Sequence, residues 1–258
     1  KLTSPQEVYP PSLPCVKELT PSYIKYILTD ENSIVKRWIK AGISGWRLDV
    51  ADELPDEFLT ILRKSVKEAD PDALILGEVW EDASNKISYN TLREFLWGEE
   101  LDTVMNYPLK DAIVDYLSEK ITGEDFKNKV LSLRENYPES TFNCLMNFLS
   151  THDSERILSR FSTTAENMSR EEQAVYKPTE ENFIKAKALV KLAALMIFML
   201  PGMPCIYYGD EAGLTGLKDP FNRKPFPWGK EDNELMDWYK TVSALRDSVL
   251  KEGKLYID

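Results

Sequence analysis

The chain has 258 residues, enough for one large domain or two small ones, and its 43% hydrophobic and 29% charged content is typical of a globular protein. The formal charge of −11 disfavours a nucleic-acid partner, because a phosphate backbone requires a basic face. Three scattered cysteines disfavour a disulfide framework and a cysteine metal site, and favour a reducing, cytoplasmic compartment.

The predicted elements alternate between helices and strands. Residues 1–19 are rich in proline and are predicted to form a loop. Helices are predicted where apolar residues recur three or four positions apart: 20–41, 55–68, 89–96, 109–119, 180–200 and 233–250. Short apolar runs predict five buried strands: 46–51, 73–80, 101–107, 143–150 and 204–208. The longest apolar stretch, 188–203, is interrupted by Lys191 and is too short to span a bilayer, so no membrane partner is predicted.

Apolar strands that alternate with helices indicate an α/β fold with a parallel sheet and outer helices. Polar residues lie at the carboxyl ends of the strands, which is the reactive face of a (β/α)8 TIM barrel. Because five strands cannot close a barrel of eight, residues 20–258 are predicted to be the last five βα units of one. The opening residues resemble the middle of a loop, so a longer natural chain is expected and secretion stays open.

Three acids follow predicted strands at comparable positions, namely Asp49, Glu78 and Asp153. A single acid at a strand end is most often a turn residue or a helix cap, but three in register favour a shared cleft. Arg47 lies two residues before Asp49, so both point to the same face of the strand. This pair is either a structural ion pair or a carboxylate held ionised for chemistry.

The surroundings of two of these acids predict different charge states. Glu78 stands between Gly77 and Val79-Trp80, an apolar setting that favours the protonated form, whereas Arg47 favours an ionised Asp49. An acid and a carboxylate nucleophile of this kind are what retaining glycosidic cleavage requires. His152, the one histidine of the chain, is either structural or a donor to a sugar hydroxyl.

Four segments resemble sequence signatures of the α-amylase family (glycoside hydrolase family 13), in the order of that family: GWRLDVADE, LGEVW, FLSTHDSER and MPCIYYGDE. LPCVKELTPSYIKYI and DPFNRKPFPW are most similar to the cyclomaltodextrinase, neopullulanase and maltogenic amylase group. The resemblance implies that Asp49 is the nucleophile and that Glu78 is the general acid and base. It further implies that Asp153 stabilises the transition state, that Arg47 orients Asp49, and that His152 contacts the same glucose unit.

The resemblance also implies an outer sugar site at Asp219 and Arg223, with a surface ion pair as the alternative. Trp80 is expected either to flank the leaving-group sugar or to lie in the core. The implied reaction is hydrolysis of α-1,4, and in some members α-1,6, bonds of maltooligosaccharides, cyclodextrins or starch-like glucans through a glycosyl-aspartate. A transglycosylase or isomerase of the same family and a non-enzymatic sugar-binding relative are the alternatives.

The resemblance implies no cofactor and no metal ligand in this segment, and calcium is expected only in parts of the family that this sequence does not contain. A homodimer is expected for the full-length protein. The family signature of the third strand is absent, so the isolated chain is predicted to have little or no activity.

Overall fold

A computed structural model describes residues 16–163 and 168–252. Most of the predicted loop at 1–19 therefore lies outside the described residues. The chain forms two compact units. The first unit runs to Met105 and includes Leu133–Phe142, and the second comprises Asn106–Ser132 and the residues from Asn143 onward.

The described part of the chain contains short strands and longer helices. The strands are β1 (Gly45–Leu48), β2 (Leu74–Gly77), β3 (Ile87–Ser88), β4 (Thr91–Leu92), β5 (Thr103–Val104), β6 (Met146–Asn147) and β7 (Met203–Pro204). The helices are α1 (Pro21–Ile24), α2 (Ile34–Lys40), α3 (Asp56–Ala69), α4 (Tyr107–Leu117), α5 (Gly123–Asn136), α6 (Glu139–Phe142), α7 (Ile157–Ser162), α8 (Arg170–Val175), α9 (Glu180–Met199) and α10 (Asn233–Glu252). The α/β class with parallel strands is confirmed.

The first unit is built on a three-stranded parallel sheet in the order β1-β2-β5. Strand β1 pairs with β2 from Gly45 opposite Leu74 to Leu48 opposite Gly77. A side chain at Gly45 would meet the Leu74 carbonyl oxygen at 2.3 Å, so glycine is required for the two strands to approach this closely. This register brings the carboxyl ends of β1 and β2 side by side.

Two helix predictions in the first unit are wrong in detail. The predicted helix 20–41 is divided into α1, a π-helical turn at Lys25–Thr29, and α2. The division occurs because the Asp30 carboxylate accepts the Asn32 N–H, and because the Ser33 side chain then caps a new helix. The predicted helix 89–96 does not form: its first residues belong to the hairpin β3–β4, and no helix follows before residue 97.

The cause of that hairpin is a tight turn between its strands. Tyr89 and Asn90 have φ angles of 51° and 60°, the left-handed backbone that a two-residue hairpin turn requires. Leu92, Phe95 and Leu96 have helical spacing in the sequence, but the turn decides the local structure.

The second unit contains the parallel pair β6–β7 and the long helices α9 and α10, which pack on each other. Helix α9 begins at Glu180 as predicted, because the Thr179 side chain accepts the Asn182 N–H at 3.2 Å. Helix α4 begins just after Asn106, whose side chain accepts the Leu109 N–H at 3.2 Å. Among the described residues, no helix is long and apolar enough to cross a membrane.

Candidate active site

Asp49 and Glu78 follow adjacent parallel strands of the first unit. Because Leu48 is paired with Gly77, the next residue of each strand lies at the same edge of the sheet. The Glu78 N–H donates to the Leu48 carbonyl at 2.9 Å, which extends the strand pairing to this edge. Asp49 and Glu78 are therefore neighbours at this edge of the sheet.

One arginine contacts both carboxylates. Arg47 Nη2 lies 2.9 Å from Glu78 Oε2, and Arg47 Nη1 forms an ion pair with Asp49 Oδ1. Because both carboxylates contact the same guanidinium, the distance between them is at most the width of that group plus two hydrogen bonds. This distance is below about 10 Å, the largest separation of the two carboxyl groups in glycosidases. The Asp49 side chain is 73% exposed, so this carboxylate is accessible and is not a buried structural partner.

Glu78 is only 3% exposed, yet its surroundings are polar. Its Oε2 accepts the Val50 N–H at 3.0 Å, and its Oε1 accepts the Trp80 Nε1–H at 3.2 Å. Together with the Arg47 guanidinium, these donors surround Glu78 with polar contacts, so the expectation of an apolar setting for Glu78 is wrong. The Trp80 side chain, more than half exposed, is not a core tryptophan.

The backbone after Asp49 is held in an uncommon conformation. Val50 has φ 42° and ψ 59°, a left-handed geometry that costs a β-branched residue on the order of 1–3 kcal/mol. This geometry directs the Val50 N–H at Glu78, and the next N–H, that of Ala51, donates to the Glu78 carbonyl at 3.1 Å.

A buried arginine that the sequence analysis did not identify holds the turn that follows. Arg93 is 5% exposed and donates from Nη1 to the Asp52 carbonyl and from Nη2 to the Leu54 carbonyl, each at 2.7 Å. These two carbonyls lie about forty positions away along the chain. Arg93 also donates to the Ser88 hydroxyl at 3.1 Å and pairs with the Asp56 carboxylate at 2.7 Å, and the sequence pattern around Arg93 suggested a helix. No local signal could have identified this role.

The second unit brings four predicted residues together. His152 Nε2 lies 3.0 Å from Asp153 Oδ2, and Arg223 Nη2 lies 3.4 Å from Asp153 Oδ1. Arg223 Nε also pairs with Asp219 Oδ1 at 2.8 Å. Arg223 therefore links Asp219 to Asp153, and the pair is more than an isolated surface contact.

Two buried side chains position the loop that carries His152 and Asp153. Asn222 Nδ2 donates to the carbonyls of His152 at 2.8 Å and Ser154 at 2.7 Å. Arg156, which is fully buried, donates through Nε to the Asn222 carbonyl at 2.8 Å. Arg156 lies in FLSTHDSER and Asn222 in DPFNRKPFPW, but no feature of either segment distinguishes their role from that of the exposed residues beside them.

Arg156 also pairs with a buried carboxylate, Asp210, through an Nη1–Oδ1 contact of 3.0 Å. Burial raises the pKa of Asp210 to about 6, although hydrogen bonds from Ser150 and Arg156 act in the opposite direction. Within residues 16–163 and 168–252, no group of three or more His, Cys, Asp or Glu side chains is arranged to hold a metal ion.

The site residues occur in segments that match a known family model. The model described as "Alpha amylase, catalytic domain" matches residues 24–251, which include every candidate site residue. The chain belongs to the α-amylase catalytic-domain family. The resemblance carried by the four signature segments is thereby confirmed.

Within the α-amylase family, curated relatives match almost the whole chain. An amylopullulanase of Thermoanaerobacter thermohydrosulfuricus is 34% identical over 269 residues, covering 95% of this chain and 17% of the relative. A cyclomaltodextrinase of a Bacillus species is 35% identical over 244 residues, covering 93% of this chain and 38% of the relative. The chain thus spans well under half the length of these relatives.

Solved structures of α-amylase family members are also similar. A cyclomaltodextrinase structure has a TM-score of 0.71 and 34% identity, covering 91% of this chain and 35% of that chain. The ligand-free cyclic α-maltosyl-(1→6)-maltose hydrolase of Arthrobacter globiformis has a TM-score of 0.73 and 26% identity, covering 92% of this chain and 47% of that chain.

Proposed function

We propose that this chain carries the catalytic residues of a retaining glycoside hydrolase that cleaves α-1,4 glucosidic bonds of maltooligosaccharides, cyclodextrins or starch-like glucans. The observation that carries the proposal is the Arg47 guanidinium that pairs with both Asp49 and Glu78 at one edge of a parallel sheet. Family membership and relatives named cyclomaltodextrinase and neopullulanase support the substrate class. Some relatives are named amylopullulanase, which supports α-1,6 bonds as further substrates.

In the first step, the Asp49 carboxylate attacks the anomeric carbon of the glucosyl unit. The bond to the leaving oxygen breaks as the protonated Glu78 gives its proton to that oxygen. In the second step, Glu78 takes a proton from water, whose oxygen displaces Asp49 from the anomeric carbon. Two inversions at this carbon give overall retention.

The surrounding residues have positioning roles in this proposal. Arg47 orients Asp49, and the Val50 N–H and the Trp80 indole N–H fix the Glu78 carboxyl group in place. Because Trp80 is exposed next to Glu78, its ring is available to the leaving-group sugar.

The residues of the second unit bind sugar. We propose that Asp153 and His152 bind hydroxyls of a glucosyl unit and that Asp153 stabilises positive charge on that unit. Asp219 and Arg223 hold the next sugar outward. We further infer that the parallel strands are part of a (β/α)8 barrel, a fold that has its reactive groups at the carboxyl ends of its strands.

The test is covalent trapping. The chain is incubated with 5-fluoro-α-glucosyl fluoride, a reagent with a good leaving group, and the modified peptide is identified by mass spectrometry. A fluoroglucosyl adduct on Asp49 that Asp49→Asn abolishes is expected, with an α-configured first product from maltotriose or maltosyl fluoride. A label on another residue or an inverted product would refute the proposal.

The same reactions separate the alternatives. Products longer than maltotriose would assign a transglycosylase, in which a sugar hydroxyl replaces water in the second step. Tight maltotriose binding by the full-length protein, with no label and no turnover, would assign a sugar-binding relative. The low activity expected of the isolated chain stays a prediction, and ordinary turnover of maltotriose would contradict it.

A further inference from the structure

A pocket of about 510 Å³ opens in the second unit, with Asp153 and Asp219 in its wall. This volume falls within the range of about 300–1,000 Å³ that is typical of small-molecule sites. Val114 and Leu149, both buried, supply apolar surface to the lining. From Asp153 and Asp219, the pocket extends to helices α4, α7 and α8, which contribute the rest of its charged lining together with Glu155 and Lys218.

The remaining lining is almost entirely charged, and its charges balance. Four lining side chains are cations: Lys110, Arg160, Arg170 and Lys218. Four are carboxylates: Asp111, Asp153, Glu155 and Asp219. An equal number of both signs gives no net attraction for an anion or a cation. It does offer both donors and acceptors, which is what the hydroxyl groups of a neutral sugar require.

The ion pairs in this wall leave hydrogen-bonding capacity unused. Lys110 Nζ lies 2.9 Å from Asp111 Oδ1, and Arg160 Nη1 lies 3.1 Å from Glu155 Oε2. A lysine has three donors and an arginine five, so each pair keeps donors for a ligand. Arg223 already pairs with Asp153 and Asp219.

Two of the four cationic side chains in the pocket are less constrained by neighbouring charges than Lys110 and Arg160 are. Lys218 and Arg170 are exposed, and no ion pair among the described residues involves either of them. Lys218 directly precedes Asp219 in the chain, and the Arg170 guanidinium lies 5.5 Å from the ring centre of Phe221. Both side chains are therefore available to a ligand that extends beyond Asp219.

We propose that this pocket binds the glucosyl units of an α-glucan that extend beyond the sugars held by Asp153 and by the Asp219–Arg223 pair. The ammonium of Lys218 and the guanidinium of Arg170 donate to hydroxyls of these distal units, and Val114 and Leu149 contact the apolar faces of the rings. The chain therefore prefers longer oligosaccharides. This inference rests on the proposed function, because it extends the same substrate.

The test compares two oligosaccharides by isothermal titration calorimetry of the 258-residue chain. Maltohexaose is expected to bind more tightly than maltotriose. In the double variant K218A/R170A, maltohexaose affinity is expected to fall at least about tenfold, the loss that corresponds to one hydrogen bond from a charged donor, while maltotriose affinity stays the same. Lys230→Ala, at an exposed lysine of the same unit that does not line the pocket, is the matched control.

Three outcomes would overturn this inference. If the double variant and the wild type bind maltohexaose equally well while Asp49 is still labelled by the fluorosugar, the pocket assignment fails and the proposed function stands. If neither oligosaccharide binds to the wild type, both fail. If glucose 6-phosphate binds more tightly than maltohexaose and the double variant loses it, the pocket is an anionic-sugar site instead. The single variant Lys218→Glu provides a second measurement should the double variant unfold.

Discussion

The stability of the first unit is expected to depend on pH through Glu100. This side chain is 4% exposed, and among the described residues its Oε2 has no hydrogen-bond partner. Burial, followed by repulsion from Asp56, raises its pKa from 4.5 to about 7, although Arg93 acts in the opposite direction. The folded state therefore binds the Glu100 proton more tightly than the unfolded state does.

The sign and the size of the effect follow from that difference in pKa. The stabilising contribution is fully present below pH 4.5 and is lost as the pH rises through about 7. A difference of this size corresponds to about 3 kcal/mol of unfolding free energy. Glu100→Gln removes the titration, so the variant is expected to gain stability relative to the wild type as the pH rises from 4.5 to 8.

The assay is urea unfolding at several pH values, followed by tryptophan fluorescence, for the wild type, Glu100→Gln and Glu99→Gln. Glu99 is exposed and adjacent, so its variant is expected to follow the wild-type pH dependence. Parallel curves of unfolding free energy against pH for Glu100→Gln and the wild type would refute the reasoning, because they would mean that Glu100 titrates alike in both states.

Three further predictions concern the two units. In the full-length protein, Arg93→Ala is expected to lower kcat by about 10- to 100-fold with a smaller change in KM, because the turn after Asp49, the proposed nucleophile, loses its anchor. Arg93→Lys should restore part of kcat, and an unchanged kcat for both variants would contradict this role. Arg156→Met is expected to lower the free energy of unfolding in urea by about 3–5 kcal/mol, because it leaves Asp210 buried without its cation. A decrease of less than about 1 kcal/mol would contradict a stabilising role for this ion pair. Gly45→Ala should lower the melting temperature, since its methyl group would meet the Leu74 carbonyl; an unaltered melting temperature would show that β1 and β2 can separate without cost.

The elements with strong periodicity or strong caps could be predicted from the sequence. Helices α3, α9 and α10 and four of the five strands lie where apolar spacing predicted them, whereas β7 (Met203–Pro204) shares only Pro204 with the predicted strand 204–208. The hairpin at Tyr89 and Asn90 could not be predicted, because apolar residues nearby imitate a helix and the turn depends on left-handed backbone angles. The strands are also shorter than the apolar runs, since hydrophobic residues continue past the last paired position.

The candidate site was predictable to the extent that it follows strand ends. Asp49, Arg47 and Glu78 come together because parallel pairing places consecutive strand ends at one edge, and a period of two places Arg47 beside Asp49. Arg93 and Arg156 were not predictable as anchors, because most of their partners are carbonyl oxygens 39 to 66 residues away. Such contacts depend on the tertiary fold and leave no spacing in the sequence.

The single guanidinium shared by Asp49 and Glu78 has a consequence for charge balance during turnover. In the proposed mechanism, the negative charge that Arg47 neutralises lies on Asp49 before the glycosyl transfer. Once the ester has formed and Glu78 has given up its proton, the negative charge lies on Glu78. Because the positive charge of a guanidinium is delocalised over both terminal nitrogens, it compensates either anion from one fixed position. Neither half-reaction then requires a counter-ion to move.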